Sequence, residues 1–177
     1  ELNKQALRVL KLFGSKAKRV SPTVGAEQEY FLVKEEFYRQ RKDLILTGRT
    51  LFGSPMAKGQ EMNDHYFTSL DPSVQEFMND LDNRLWKLGI YAKTEHKEVA
   101  PGQYELACIY VNANLATDQN QLVMEMMQKV AKQHHYVCLL HEKPFEGING
   151  SGKHNNWSLM SDTGENLIEP GDTPEEN

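Results

Sequence analysis

The stretch that decides the fold is Val24–Val33, which reads VGAEQEYFLV and follows a Ser-Pro breaker. Its Tyr, Phe, Leu and Val side chains favour a β-strand, because β-branched and aromatic residues fit the pleated surface of a sheet. Strand side chains alternate between faces, so Glu27 and Glu29 point the same way, about 6.5 to 7 Å apart. That face continues into Phe31 and Val33, which we expect to be buried. Carboxylates in line with a buried face need a cation or a pairing partner; the alternative is a solvent-facing stripe.

Patterns on both sides of this strand indicate helices and an antiparallel sheet. Apolar residues recur at helical spacing over residues 2–18, over residues 71–89 with an Asp-Pro start and a Gly end, and over residues 117–140 behind a Thr117 or Asp118 cap. Two more strands, Ile90–Thr94 and Gln103–Val111, flank an Ala-Pro-Gly turn. Residues 35–68 hold no period, which predicts a long functional or connecting loop. This element order favours an α+β fold with an antiparallel sheet.

Composition is typical of a globular protein and disfavours several classes of partner. The chain has 177 residues, enough for one domain. Twenty Lys and Arg against 25 Asp and Glu leave a net charge of −5, which argues against nucleic acid. The longest apolar run has six residues, far below the roughly 20 of a membrane span, so we expect no membrane contact. Two cysteines are too few for a disulfide scaffold, which predicts a reducing, cytoplasmic location.

A second acidic cluster lies in the segment HKEVAPGQYE, which begins at His96. Glu98 ends one strand-like segment and Glu105 enters the next across a Pro-Gly turn, so a hairpin would bring the two carboxylates together. Mg²⁺ and Mn²⁺ are hard ions that bind carboxylate oxygens, and either would relieve the repulsion. The alternative is that the two residues simply flank a turn. We interpret Glu95 and His96 as rim residues.

A glycine-rich segment, KPFEGINGSGKH, runs from Lys143 to His154. Its spacing imitates a phosphate-binding P-loop up to the last position, where His154 replaces the Ser or Thr that would meet Mg²⁺. We reject that interpretation because a P-loop follows a buried parallel strand and opens a helix, and the chain shows no such order. A glycine-rich loop still allows close approach of a polar substrate, and His154 is a candidate metal ligand. A solvated loop is the alternative.

Together these three motifs, in this order, resemble the catalytic domain of glutamine synthetase. That family carries an E-x-E strand, an H-x-E-V-A and G-Q-x-E hairpin, and a K-P-x-x-G-x-N-G-S-G-x-H loop. The segment at residues 41–53 and the variant HKEVAPGQYELA look most like the bacterial type III branch. The resemblance covers nearly the whole chain. It implies a glutamine synthetase/guanido kinase-like fold, with a curved antiparallel sheet and packed helices.

The resemblance also implies roles for particular residues. The complete ligand set of a first divalent metal would be Glu29, Glu98 and Glu105. Two of three ligands of a second metal, on the nucleotide phosphates, would be Glu27 and His154. Asn149 and Gly150 would bind glutamate. Positions on the nucleotide side would be Ser158, Tyr110 and Asn156, the last standing where many bacterial relatives carry a second His.

The domain division follows from the same resemblance. Residues 1–19 would be a helix leading into the domain, and residues 20–177 a partial catalytic domain truncated at its C-terminus. The family's N-terminal β-rich domain is missing, and the third ligand of the second metal and the phosphate-binding arginines would lie downstream. The chain opens at Glu1 without an initiator Met and ends in a polar, turn-rich stretch. We therefore expect an excised piece that is inactive alone.

The implied activity is ATP-dependent ligation of ammonia to L-glutamate, giving L-glutamine through a γ-glutamyl phosphate intermediate. Two ions, Mg²⁺ or Mn²⁺, would screen the anionic reactants, and ATP would be a substrate. The full-length enzyme would be a homo-oligomeric ring whose active sites lie between neighbouring subunits. Two alternatives stay open. One is a non-catalytic module that keeps the scaffold, and the other is a γ-glutamyl amine ligase with a different acceptor.

Overall fold

The computed structural model describes residues 1–176, which form an antiparallel sheet packed against helices. The strands, in chain order, are β1 (Val20–Lys34), β2 (Ala92–Lys97), β3 (Gln103–Cys108), β4 (Val111–Asn112), β5 (Tyr136–Leu139) and β6 (Lys153–Ser161). The helices are α1 (Leu2–Leu12), α2 (Glu35–Tyr38), α3 (Lys42–Thr47), α4 (Asp64–Phe67), α5 (Pro72–Lys87) and α6 (Ala113–Gln133). The predicted α+β class is confirmed.

β1 lies at the centre of the sheet and is paired along both edges. On one edge it pairs with β3 through residues 27–31 and with β4 through residues 23–24. On the other edge it pairs with β6 through residues 20–28 and with β5 through residues 31–34. β2 extends the sheet beyond β3, and every pair is antiparallel. The other strands are therefore placed by their pairing to β1, directly or through β3.

The two faces of β1 carry different chemistry. Even-numbered side chains such as Tyr30 and Leu32 join Leu106 of β3 in the main core, beneath α5 and α6. α5 contributes apolar side chains at helical spacing, which are Val74, Phe77, Met78, Leu81 and Leu85. Odd-numbered side chains face the other way, where Phe31 packs in a smaller cluster of buried residues with Leu139. The predicted burial of Phe31 is confirmed, whereas Val33 is only partly buried, so the face of Glu27 and Glu29 continues into a surface that is buried at Phe31.

Several predicted boundaries were wrong. The first helix ends at Leu12 rather than residue 18, because Gly14 adopts a left-handed φ of 73°. The long helix begins at Ala113, behind an Asn112 cap, and ends at Gln133 rather than residue 140. The following Tyr-Val-Cys-Leu run is β5, and four apolar residues are too few to separate a strand from a helix by period. No helix among residues 1–176 has the length and hydropathy of a membrane span.

Two further expectations were incomplete. Residues 153–161 form β6, whose polar sequence carries no strand signal and whose pairing to β1 is long-range. Residues 35–68, predicted as a loop, contain short helices joined by irregular segments. Asp43 organises the first half of this region. Its buried carboxylate accepts hydrogen bonds from Arg41 and from the backbone N–H of Leu51.

A buried carboxyl group lies on the helix-covered side of β2. Glu95 is paired with Leu106 and therefore faces the core, opposite to its neighbour His96. Oε1 of Glu95 and Oδ1 of Asp82 on α5 are both buried and have no hydrogen-bond partner among residues 1–176. Burial, and then the charge of Asp82, raise the pKa of Glu95 to about 9. Glu95 is therefore protonated at neutral pH in the folded protein.

We predict that Glu95→Gln stabilises the protein at neutral pH but not at acidic pH. The folded state holds the Glu95 proton more tightly than the unfolded chain, whose glutamates titrate near 4.5, so the stability of the native protein falls as pH rises from 4.5 towards 9. Glutamine removes this penalty, and the gain should reach about 3 kcal/mol at pH 7. Urea unfolding of both proteins at pH 4.5 and pH 7 measures it. Exposed Glu76→Gln is the matched control, and an equal gain at both pH values would contradict the prediction.

Candidate metal centre and substrate loop

The register of the sheet lines up acidic and imidazole side chains on one face. Glu29 of β1 lies directly opposite Glu105 of β3, and Glu105 lies opposite His96 of β2. On the other edge of β1, Glu27 lies opposite His154 of β6. Side chains of directly paired residues point to the same face of an antiparallel sheet. Residues from four strands therefore converge on the face opposite α5 and α6.

The hairpin between β2 and β3 adds Glu98 to this group. The backbone N–H of Glu98 donates to the carbonyl of Gln103 at 2.8 Å, and Gly102 closes the turn with a left-handed φ of 71°. His96 lies between two carboxylates, with Nε2 3.1 Å from Oε1 of Glu105 and Nδ1 3.6 Å from Oε1 of Glu98. Ligand atoms of His96, Glu98 and Glu105 all lie within 4.8 Å of one another.

Glu95 and His96 were both predicted as rim residues, and both predictions were wrong, because Glu95 faces the core and His96 lies within the carboxylate group. We expected a rim residue, whereas the imidazole is in direct contact with two of the predicted metal ligands. A signal was present, because His96 and Glu98 are two residues apart in an extended segment and thus share a face. The cross-strand pairing of His96 with Glu105 completes the group, and that pairing depends on the length of the turn.

The carboxylates of this centre are largely removed from solvent. The exposed fractions of the side chains of Glu29, Glu98 and Glu105 are 13%, 13% and 10%. Among residues 1–176, no Lys or Arg nitrogen lies within ion-pair distance of them, and only histidines do. Burial and the charge of Glu29 raise the pKa of Glu98, while burial and the charge of Glu27 raise that of Glu105. Buried oxygen donors without a compensating cation fit a hard divalent ion such as Mg²⁺ or Mn²⁺.

A second group lies one step along β1 and is more exposed. Glu27 accepts a hydrogen bond of 2.6 Å from Nδ2 of Asn156, and exposed His154 has Nε2 3.7 Å from Oε1 of Glu29. Gly152 donates its backbone N–H to Oε2 of Glu29, and a Cβ built on it would lie 2.7 Å from Nε2 of His154. His154 therefore sits between the two groups, and a side chain at residue 152 would force it to move.

The glycine-rich segment forms a loop, residues 143–152, that is hydrogen-bonded to a side chain of the sheet. Nε2 of buried Gln103 donates to the carbonyl of Gly150 at 3.0 Å, and the N–H of Ser151 donates to the carbonyl of Glu142 at 2.8 Å. A Cβ on Gly150 would lie 2.4 Å from the Glu142 carbonyl oxygen, which is backbone and cannot move aside easily. We refer to residues 143–152 as the substrate loop. The strand β6 follows it, so the rejection of a P-loop is confirmed.

The residues predicted on the nucleotide side lie at the opposite end of the same row. Ser158 pairs with Thr23 and Asn156 with Gly25. A Cβ built on Gly25 would lie 3.4 Å from that of Tyr110, whose side chain is exposed. Asn156 contacts Glu27 in this structure, and Ser158 donates its hydroxyl to Oδ1 of Asn166. The structure thus brings all ten predicted site residues to one face, although their roles stay predictions.

The chain is thus a sheet-centred α+β domain with a carboxylate-rich centre, and comparison with known proteins identifies its family. The family model described as glutamine synthetase, catalytic domain, matches residues 4–176. The chain therefore belongs to the glutamine synthetase catalytic domain family, and the predicted resemblance is confirmed.

Individual relatives are consistent with this. The chain is 60% identical to a glutamine synthetase of Butyrivibrio fibrisolvens and 50% identical to a type-3 glutamine synthetase of Dictyostelium discoideum, in each case over 99% of its own length. It spans 25% and 24% of those two proteins, about a quarter of their length. A cryo-EM structure of Plasmodium falciparum glutamine synthetase shares the fold, with a TM-score of 0.66 and 19% identity over 96% of this chain and 35% of that one.

We predict that Glu105→Gln has opposite effects on stability with and without a divalent ion. In EDTA the substitution should raise the thermal midpoint, because it removes one of several mutually repelling buried carboxylates. With Mn²⁺ or Mg²⁺ in excess, the native protein should gain more from the ion than the variant does, because the variant lacks a ligand. Thermal unfolding with and without the ion measures both effects. Glu76→Gln, on an exposed position of α5, should respond to the ion as the native protein does.

Proposed function

We propose that this chain forms part of an ATP-dependent glutamate–ammonia ligase. The observation that carries the proposal is the buried group of Glu29, Glu98 and Glu105, which has oxygen donors and no Lys or Arg within ion-pair distance among residues 1–176. In a chain of the glutamine synthetase family, such a group is suited to a divalent ion rather than to a structural ion pair. If these three carboxylates did not bind a divalent ion, the proposal would lose its main support.

The proposed reaction has two steps. In the first, an oxygen of the glutamate γ-carboxylate bonds to the γ-phosphorus of ATP, the bond to the bridging β–γ oxygen breaks, and ADP leaves. In the second, ammonia attacks the carbonyl carbon of the resulting γ-glutamyl phosphate, and inorganic phosphate leaves with the bonding electrons. A proton is lost from the attacking nitrogen. Water must be kept from the acyl phosphate meanwhile, because hydrolysis would waste it.

Residues of this chain would arrange the reactants along β1. Glu29, Glu98 and Glu105 would hold one divalent ion, and Glu27 and His154 would supply two ligands to another. When bound, the ions would screen the negative charges of carboxylate and phosphate. Asn149 and Gly150 of the substrate loop would bind glutamate, and the nucleotide would lie towards Asn156, Tyr110 and Ser158. The support is the pairing register, in which Ser158, Asn156, His154 and Glu105 lie opposite successive odd-numbered residues of β1, from Thr23 to Glu29.

The proposal extends to assembly. We propose that the full-length protein works as a homo-oligomeric ring with sites between subunits, and that this 177-residue chain alone does not turn over. The support is that the chain spans about a quarter of the length of these relatives, which leaves room for the expected further metal ligand and arginines outside the matched region. Assaying the chain and the native full-length protein side by side tests this. Full turnover by the chain alone would contradict it.

We predict that the native full-length protein forms glutamine and ADP from glutamate, ATP and ammonia only when Mg²⁺ or Mn²⁺ is present. With hydroxylamine in place of ammonia it should form the hydroxamate, because the acyl phosphate reacts with other nitrogen nucleophiles. Glu29→Gln should lower turnover by roughly a hundredfold or more, since even partners of metal ligands are worth 10- to 100-fold. Amino-acid analysis and coupled ADP detection measure both products.

Control and contrary outcomes separate the alternatives. Glu76→Gln, exposed on α5, should keep native turnover. Binding of Mn²⁺ in calorimetry without glutamate-dependent ADP release would instead favour a non-catalytic module. Consumption of methylamine in preference to ammonia, at equal concentrations of the free bases, would favour a γ-glutamyl amine ligase on the same scaffold.

A further inference from the structure

The substrate loop is held from outside the sheet by a residue of the irregular segment between α3 and α5. Oε1 of Gln60 accepts a hydrogen bond of 2.6 Å from the backbone N–H of Asn149. Nε2 of the same side chain donates to Oδ1 of Asn149 at 3.2 Å. One carboxamide thus contacts both the backbone and the side chain of a residue 89 positions away.

The segment that carries Gln60 follows the rim of the site. At its start, Thr50 donates both its N–H and its hydroxyl to the carbonyl of Pro144, at 2.8 and 3.1 Å. At its end, the ring of Tyr66 lies 5.3 Å from that of His96. Residues 50–66 therefore run from the start of the substrate loop to the metal centre, with Gln60 in contact with the loop between these two points.

The backbone N–H of Asn149 determines the orientation of both carboxamides. An N–H can only donate, so Gln60 must present Oε1 to it, and Nε2 of Gln60 is left facing the Asn149 side chain. That NH₂ group donates to Oδ1 of Asn149, its one acceptor among residues 1–176. Asn149 must then turn its own NH₂ outward. No acceptor among residues 1–176 takes those two donors.

An outward-facing NH₂ with free donors suits an anionic oxygen. Asn149 is exposed, and Gly150, beside it, is fixed from the sheet side by Gln103. If Gln60 were absent, the Asn149 carboxamide could rotate by half a turn at little cost and present Oδ1 instead. That orientation would repel a carboxylate. Gln60 therefore influences whether the loop accepts an anionic ligand.

We propose that Gln60 is a positioning residue for glutamate, acting through Asn149 by holding its carboxamide with the NH₂ group towards the substrate carboxylate. The inference rests on the proposed function, which assigns Asn149 to glutamate. It adds a residue from outside the three family motifs, in a segment that the sequence shows only as an aperiodic stretch.

Two substitutions in the native full-length protein separate positioning from support of the fold. Gln60→Leu removes both hydrogen bonds and should raise the KM for glutamate about tenfold, while the KM for ATP stays within twofold. In Gln60→Glu, one carboxylate oxygen still accepts from the backbone N–H of Asn149. The other oxygen accepts from the side-chain NH₂ of Asn149, which reverses the Asn149 carboxamide. This substitution should therefore raise the KM for glutamate at least as much and leave the loop ordered.

Amide hydrogen exchange without substrates reports the contact independently of activity. Exchange over residues 145–152 should quicken in Gln60→Leu and match the native protein in Gln60→Glu. Repeating the kinetics of Gln60→Glu at high salt separates the effect of the added charge from that of the reversed carboxamide. Salt screens the charge and so reduces its effect on the KM, whereas the effect of the reversed carboxamide remains. Gln75→Leu is the matched control, because the hydrogen bond of that amide among residues 1–176 is to Asn79 on its own helix.

The outcomes are separable. A native KM for glutamate in Gln60→Leu, or equal rises in the KM values for glutamate and ATP, would overturn the positioning role while leaving the proposed function intact. A native full-length protein that makes no glutamine would overturn the proposed function and the glutamate role together. Unchanged hydrogen exchange in Gln60→Leu would show that the Gln60 contact does not hold the loop, whatever the kinetic result.

Discussion

The pairing of β1 along both of its edges is the constraint on which the rest of the structure depends. Because every second side chain of a strand shares a face, this one strand orders the whole candidate site. Ser158 is paired with Thr23 at one end, and Gln103 is paired with Phe31 at the other. Phe31 lies eight positions after Thr23, a distance of about 26 Å along the strand. Ser158, the Glu27 and His154 pair, the Glu29 and Glu105 pair, and the loop beside Gln103 follow one another along that length.

The same strand must stabilise the fold and hold repelling charges, and its two faces divide these tasks. Tyr30 and Leu32 anchor β1 in the main core, so the apolar burial on that side offsets the repulsion on the other. Glu29 lies between buried Tyr30 and Gln28 in sequence, so the core fixes the backbone that carries its carboxylate. The charge conflict is therefore retained in the folded state, and a divalent ion would relieve it.

Local rules were enough to predict the parts of the site that lie within one strand or one hairpin. The two-residue period of a strand predicted that Glu27 and Glu29 share a face. The Pro-Gly turn predicted that Glu98 approaches Glu105. The same rules could not predict the long-range pairing of β5 and β6 with β1. β6 is polar and β5 has four residues, so neither carries a period that distinguishes it, and both are strands because β1 offers them an edge.

The two sides of the site differ in how they are built, and this difference follows from their contacts. The carboxylate centre is fixed by backbone ladders between β1, β2 and β3, which leave little freedom to the side chains they carry. The substrate loop has no ladder. It is held by single backbone hydrogen bonds at Pro144 and Ser151, and by the side chains of Gln103 beneath it and Gln60 beside it. Ordering such a loop when a ligand binds costs conformational entropy unless the loop is held beforehand. The contacts from Gln103 and Gln60 supply that order from two directions, so a ligand of this loop would meet groups that are already positioned.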